Sequence, residues 1–183
     1  MVSPLFNEIT ISIGSLGVAG WAGWLDWRSR RIPNWLTLPA MFAGVAVGAV
    51  ARGWPGTVAA LEGAGVALGA LLPFVLARGL GAGDWKLMGA LGAFLGPQQT
   101  LVVLLGTIMI TGMMAVYSMI QQKKVKETAI NLWILIVAYS TFRVASAREI
   151  SLDNPALTKL PFGVAAAVAT LMFFCTVATL RFF

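Results

Sequence analysis

The sequence predicts an all-α fold, a polytopic membrane helix bundle of six transmembrane helices with one cytoplasmic interfacial segment. Three observations predict it. Of 183 residues, 58% are hydrophobic and 11% charged, with a mean hydropathy of +0.84, too apolar for a soluble domain of this size. The apolar residues gather in runs separated by short polar turns, as membrane helices require. The cations stand at the ends of those runs and form no single basic arm. The net charge of +6 therefore points to topology and to anionic membrane lipids, not to nucleic acid. No polar block is long enough to fold alone, so residues 1–183 read as a single membrane-embedded domain.

The first apolar run, Ile9 to Leu25, is followed by Arg28, Arg30 and Arg31 and lacks a small-residue cleavage site, so it reads as a retained span. Leu36 to Ala51 and Val58 to Ala77 are the next two, divided by the turn formers Gly53, Pro55 and Gly56. Leu87 to Leu95 is a short fourth run, with Trp85 and a snorkelling Lys86 at the headgroups. Pro97, Gln98 and Gln99 turn the chain, and Leu101 to Ile120 returns it to Lys123, Lys124 and Lys126. Ala129 to Phe142 has 14 residues including Asn131 and reads as interfacial; Phe162 to Leu180 is the last span. The positive-inside rule then puts the Arg28–Arg31 loop in the cytoplasm. With six spans, Leu160 to Gly163 opens the last one from the same side; a seventh span would move it outside. Small residues four apart, at Ala40, Gly44 and Gly48, at Gly65 and Gly69, and at Gly92 and Gly96, predict packing seams. Trp21, Trp24, Trp27 and Trp35 predict an interfacial belt, and Met109, Met113 and Met114 predict packing.

One cysteine, Cys175, and no histidine exclude an intrachain disulfide, a cysteine-clustered zinc site and the usual general base. No metal and no cofactor is implied. The chemistry falls to Asp26, which closes the first span, and Asp84, which opens the fourth. Singly, Asp26 reads as a boundary carboxylate answering Arg30, and Asp84 as a helix N-cap after a glycine loop. Together they are two ionisable groups from different spans at one depth, which is rare in a membrane. Two carboxylates sharing one proton hydrolyse a peptide bond without histidine, serine or metal. Asp26 ends a helix and Asp84 begins one, which predicts that the shared proton rests mainly on Asp26. On residues alone, a non-enzymatic subunit of a pilus or secretion assembly platform and a proton-coupled transporter stay open beside a peptidase.

The blocks DWRSRRIPNWLTLP, GAGDWKLMGALGAFLGP and TKLPFGVAAAVA resemble, in order and spacing, three blocks of the type IV prepilin peptidases, membrane aspartic proteases with a GxGD motif. The likeness covers nearly all of the chain and is similar to the short, tight-adherence-pilus branch; the archaeal preflagellin peptidases resemble it less. The resemblance implies catalysis by Asp26 and Asp84, with Gly81 and Gly83 as the motif glycines and supporting positions at Lys86, Pro33, Asn34, Pro161 and Gly163. It further implies a multi-pass protein of the inner (cytoplasmic) membrane that removes the short basic leader of pilin-like precursors at the cytoplasmic face. The sequence departs from the family pattern after Gly163, where small apolar residues follow. It leaves the oligomeric state open.

Overall fold

A computed structural model of the protein describes residues 4–76, 79–121 and 161–182, all of them in helices or in the short connections between them. The helices are α1 (Pro4–Ser29), α2 (Asn34–Arg52), α3 (Trp54–Leu76), α4 (Ala82–Leu95), α5 (Pro97–Gln121) and α6 (Phe162–Phe182). Each coincides, within the described residues, with one of the six apolar runs. The interfacial segment expected at residues 129–142 lies outside the described residues.

Helix ends fall where the backbone rules require. Pro33, extended at φ −77° and ψ 147°, precedes α2, since proline lacks the N–H that a first helical turn leaves unpaired anyway. Gly53 ends α2 at φ +63° and donates its N–H to the Ala49 carbonyl at 2.8 Å; Gly96 ends α4 at φ +77° and donates to Gly92 at 2.9 Å. A left-handed residue satisfies a carbonyl that the helix would otherwise leave free. At the end of α1 that position is taken by Arg30, at φ 52°, whose N–H donates to the Asp26 carbonyl at 2.8 Å. A side chain there costs about 1–2 kcal/mol relative to glycine.

Among the described residues, four of the six expected spans are helices long and apolar enough to cross a membrane: α2, α3, α5 over Pro97–Ser118, and α6 over Phe162–Leu180. At about 1.5 Å per residue, the 14 residues of α4 fall short of the hydrocarbon thickness of about 30 Å. Its place in the bundle accounts for this. Helices α1, α2, α3, α5 and α6 form a closed ring, each touching the next, and α4 touches all five. Every residue from Leu87 to Leu95 is buried. An element apolar on all sides belongs inside, and this one is the axis of the bundle.

Small residues let the ring close on that axis. A methyl group at Gly44 of α2 would lie 2.9 Å from Ala93, one at Gly63 of α3 would collide with Gly92 and Gly96, and the ring of Phe94 fills the space beside Gly14 of α1. Gly48 packs likewise against Gly56. The seam expected at Gly65 and Gly69 is absent: both are exposed, with nothing within 4 Å of where a side chain would start. The face that α3 buries runs instead through Gly56, Ala60, Gly63, Ala64, Ala67 and Leu71. Trp21, Trp24, Trp27 and Trp35 all stand exposed on the outside, with the Arg28 guanidinium 5.8 Å from the Trp24 ring. Met109 and Met113 are also on the outer surface rather than packed.

Neighbouring residues fix the directions. Asn34 beside Lys86 and Gly44 beside Ala93 make α2 parallel to α4. Gly14 beside Phe94 and Asp26 within electrostatic range of Asp84 make α1 antiparallel to it. The end of α1 and the starts of α2, α4 and α6 therefore gather at one end of the bundle, opposite the Gly53 and Gly96 turns.

Candidate active site

Three chain segments far apart in sequence build the site at that end. The last turn of α1 supplies Asp26, which is only 4% exposed. A buried carboxylate needs donors, and they come from the start of α6: the Gly163 N–H donates to Asp26 Oδ2 at 2.8 Å, and the Val164 backbone adds a second hydrogen bond. Arg30, one turn further along the chain, adds a favourable electrostatic interaction. The approach requires glycine. A methyl group at residue 163 would sit 2.9 Å from the Asp26 Cβ and 3.0 Å from Ile32 Cδ1.

The first turn of α4 supplies Asp84. The N-cap position belongs to Gly81, extended at φ −68° and ψ 141°, so Asp84 is the third helical residue and not the cap that its place after a glycine loop suggests. Its carboxylate accepts a hydrogen bond from the Gly81 backbone, the backward half of a capping box. Gly83 lets the turn between α1 and α2 come close, since a methyl group there would lie 2.8 Å from the Ile32 carbonyl oxygen. Asp84 and Asp26 are within electrostatic range of each other. Two helices that run in opposite directions thus present their carboxylates at a common level.

The remaining motif positions serve the frame. Lys86 Nζ donates to Asn34 Oδ1 at 3.0 Å, tying the start of α4 to the start of α2. Pro33 and Pro161 each stand immediately before a helix, and their carbonyls accept the N–H groups of Leu36 (3.2 Å) and Ala165 (3.3 Å) respectively. All nine residues singled out from the sequence lie at the same end of the bundle.

Two contributors went unnoticed in the sequence. Ile32, 8% exposed, lies between Gly83 and Gly163 and so joins all three segments. The signal was an isolated aliphatic residue between a charged run and a Pro-Asn pair. Trp85, expected at the headgroups, donates its indole N–H to the Leu68 carbonyl at 2.8 Å, fixing α4 against α3.

The sequence model described as the type IV leader peptidase family matches residues 13–116, more than half of the chain, a range that includes both aspartates and the glycines before Asp84. Comparison with curated proteins and with solved structures returned no match.

Proposed function

The chain belongs to the type IV leader peptidase family, and we propose that it acts as a membrane aspartic endopeptidase, with Asp26 and Asp84 as the catalytic pair. Its substrates are pilin-like precursors, from which it removes a short basic leader at the cytoplasmic face of the inner membrane. The observation that carries this reading is the meeting of two carboxylates from α1 and α4, one buried on backbone donors and the other at the head of the central helix.

The pair holds one proton. The ionised carboxylate takes a proton from water as the water oxygen attacks the scissile carbonyl carbon, while the protonated one hydrogen-bonds to the carbonyl oxygen and neutralises the charge that develops there. Collapse of the tetrahedral diol breaks the C–N bond, and a carboxyl proton passes to the leaving amine. No group outside the two carboxylates and water is needed. The apolar stem of a precursor, shaped as a helix, can lie against the outer helices in lipid, leaving its basic leader in the aqueous phase beside Arg28, Arg30 and Arg31. That geometry brings the scissile bond to the depth of the aspartates. Gly81 keeps the space beside the Asp84 carboxylate free of a side chain, since a methyl group there would lie 2.9 Å from Asp84 Oδ2, and this leaves room for an extended backbone next to Asp84. Lys86 and Asn34 hold the frame, and the resemblance of the sequence blocks to the short, tight-adherence-pilus branch of these peptidases makes the pilins of that branch the substrate class.

The test is co-expression with a pilin-like precursor that carries a short basic leader before an apolar stem, followed by N-terminal sequencing of the product. Loss of a basic leader, unaffected by zinc chelators, is expected. Unprocessed precursors in the presence of folded enzyme would contradict the proposal.

A further inference from the structure

Helix α6 begins with Pro161-Phe162-Gly163-Val164, and none of these residues carries a side chain that could accept hydrogen bonds from the helix's own free N–H groups. Such groups are normally satisfied by Ser, Thr, Asp or Asn at the N-cap. Here the acceptor comes from another helix. The Asp26 carboxylate of α1 receives the Gly163 N–H at 2.8 Å together with the Val164 backbone, so it caps α6 across a sequence separation of more than 130 residues.

We propose that the start of α6 is the device that orients Asp26 and holds it as the carboxylate, making Asp26 the base that activates water and Asp84 the acid that carries the shared proton. Gly163 is then a positioning residue. This rests on the assignment of Asp26 and Asp84 as the catalytic pair and reverses the division expected from α1 alone. The C-terminal carbonyls of α1 repel a negative charge on Asp26, but the N-terminus of α6 points directly at the carboxylate, and hydrogen bonds to an ionised acceptor are the strong ones. Asp84 receives its backbone hydrogen bond from Gly81 within its own loop. The charged groups on the elements packed against α1 do not alter the assignment. Asp84 on α4 opposes a second negative charge, Arg30 favours the charge on Asp26, Lys86 is bound to Asn34, and Arg52 and Arg181 belong to the far ends of α2 and α6.

The experiment removes a single N–H. Incorporating glycolic acid at position 163 converts the Phe162–Gly163 amide to an ester, which abolishes the donor and adds no atom to the crowded side facing Asp26. In the purified full-length enzyme acting on a cleaved pilin-like precursor, kcat should fall about tenfold or more, with KM changed by less than about twofold. The acidic limb of the kcat profile should move to higher pH by about one unit, because a carboxylate that loses a donor to its ionised form is harder to ionise. Gly163→Ala, which crowds Asp26 without removing the N–H, should lower kcat with a smaller movement of that limb. An ester enzyme with unchanged kcat and unchanged acidic limb would overturn the proposal, even if its melting temperature were lower. Asp26→Asn is the parallel control: if that variant still cleaves, the catalytic pair itself is wrong, whatever the ester does.

Discussion

Replacing Gly63 with alanine tests the packing that sets α4 at the centre of the bundle. The added methyl group would lie 2.8 Å from both the Cα and the carbonyl carbon of Gly96, and against the Gly92 carbonyl oxygen. Carbon atoms in contact prefer about 3.5–4.0 Å, so α3 and α4 must separate by roughly 1 Å. Neither side offers a flexible side chain to give way, because the colliding atoms are backbone. Nor can α4 simply retreat, since Ala93 is pressed against Gly44 of α2 and Phe94 against Gly14 of α1. The cost therefore belongs at the upper end of the overpacking range, about 3 kcal/mol. For a chain of this length that corresponds to a melting temperature lower by about 6–12 °C. Gly65→Ala, two positions away, meets nothing within 4 Å and should change stability by less than about 0.5 kcal/mol. Thermal unfolding of the two purified variants in the same detergent, followed by circular dichroism and by loss of monodispersity, measures the contrast. Equal melting temperatures, or a lower one for Gly65→Ala, would refute the proposed packing of α3 on α4.

Three further expectations concern a polar contact, a buried hydroxyl and the orientation in the membrane. Lys86→Met and Asn34→Ala each remove the same 3.0 Å hydrogen bond; it is exposed, so each should cost no more than about 1 kcal/mol, and a double-mutant cycle by thermal unfolding should show the double variant losing little more than either single one. Thr37 is fully buried with no partner for its hydroxyl among the described residues, so Thr37→Val should leave stability unchanged or raise it by about 1 kcal/mol, as measured by the same melts. In a Cys175→Ser background, a cysteine at Ser29 should react with an impermeant thiol reagent only from the cytoplasmic side and one at Gln98 only from outside; reversed labelling would invert the orientation.

The fold was readable because each helix carries a predominantly apolar run between turn or charged residues, and most helices extend beyond their runs by a few residues to a boundary such as Pro33, Gly53, Gly81 or Gly96. What periodicity could not reveal is which face of α3 is buried. A stripe of small residues at strict four-residue spacing drifts around a helix of 3.6 residues per turn, and α3 carries two overlapping stripes; only the contact with α4 selects Gly63 over Gly65. The central place of α4 was partly legible, since Leu87 to Leu95 contains no polar residue, but its brevity suggested a short span. For the site, counting crossings is enough to put Asp26 and Asp84 at one end. The α6 donors that hold Asp26 were not legible, because a backbone N–H has no letter of its own. The sequence marks them only indirectly, through a glycine that cannot be larger.

The most direct measurement of the central claim is leader cleavage by purified, folded Asp26→Asn and Asp84→Asn enzymes, each compared with wild type at equal folded protein, on a precursor that the wild type processes. An amide can neither hold nor exchange the proton that the pair must share. Each substitution should therefore lower kcat by at least about a thousandfold, while melting temperature and elution volume confirm the fold. Substantial cleavage by either variant would remove that residue from the catalytic pair and contradict the account.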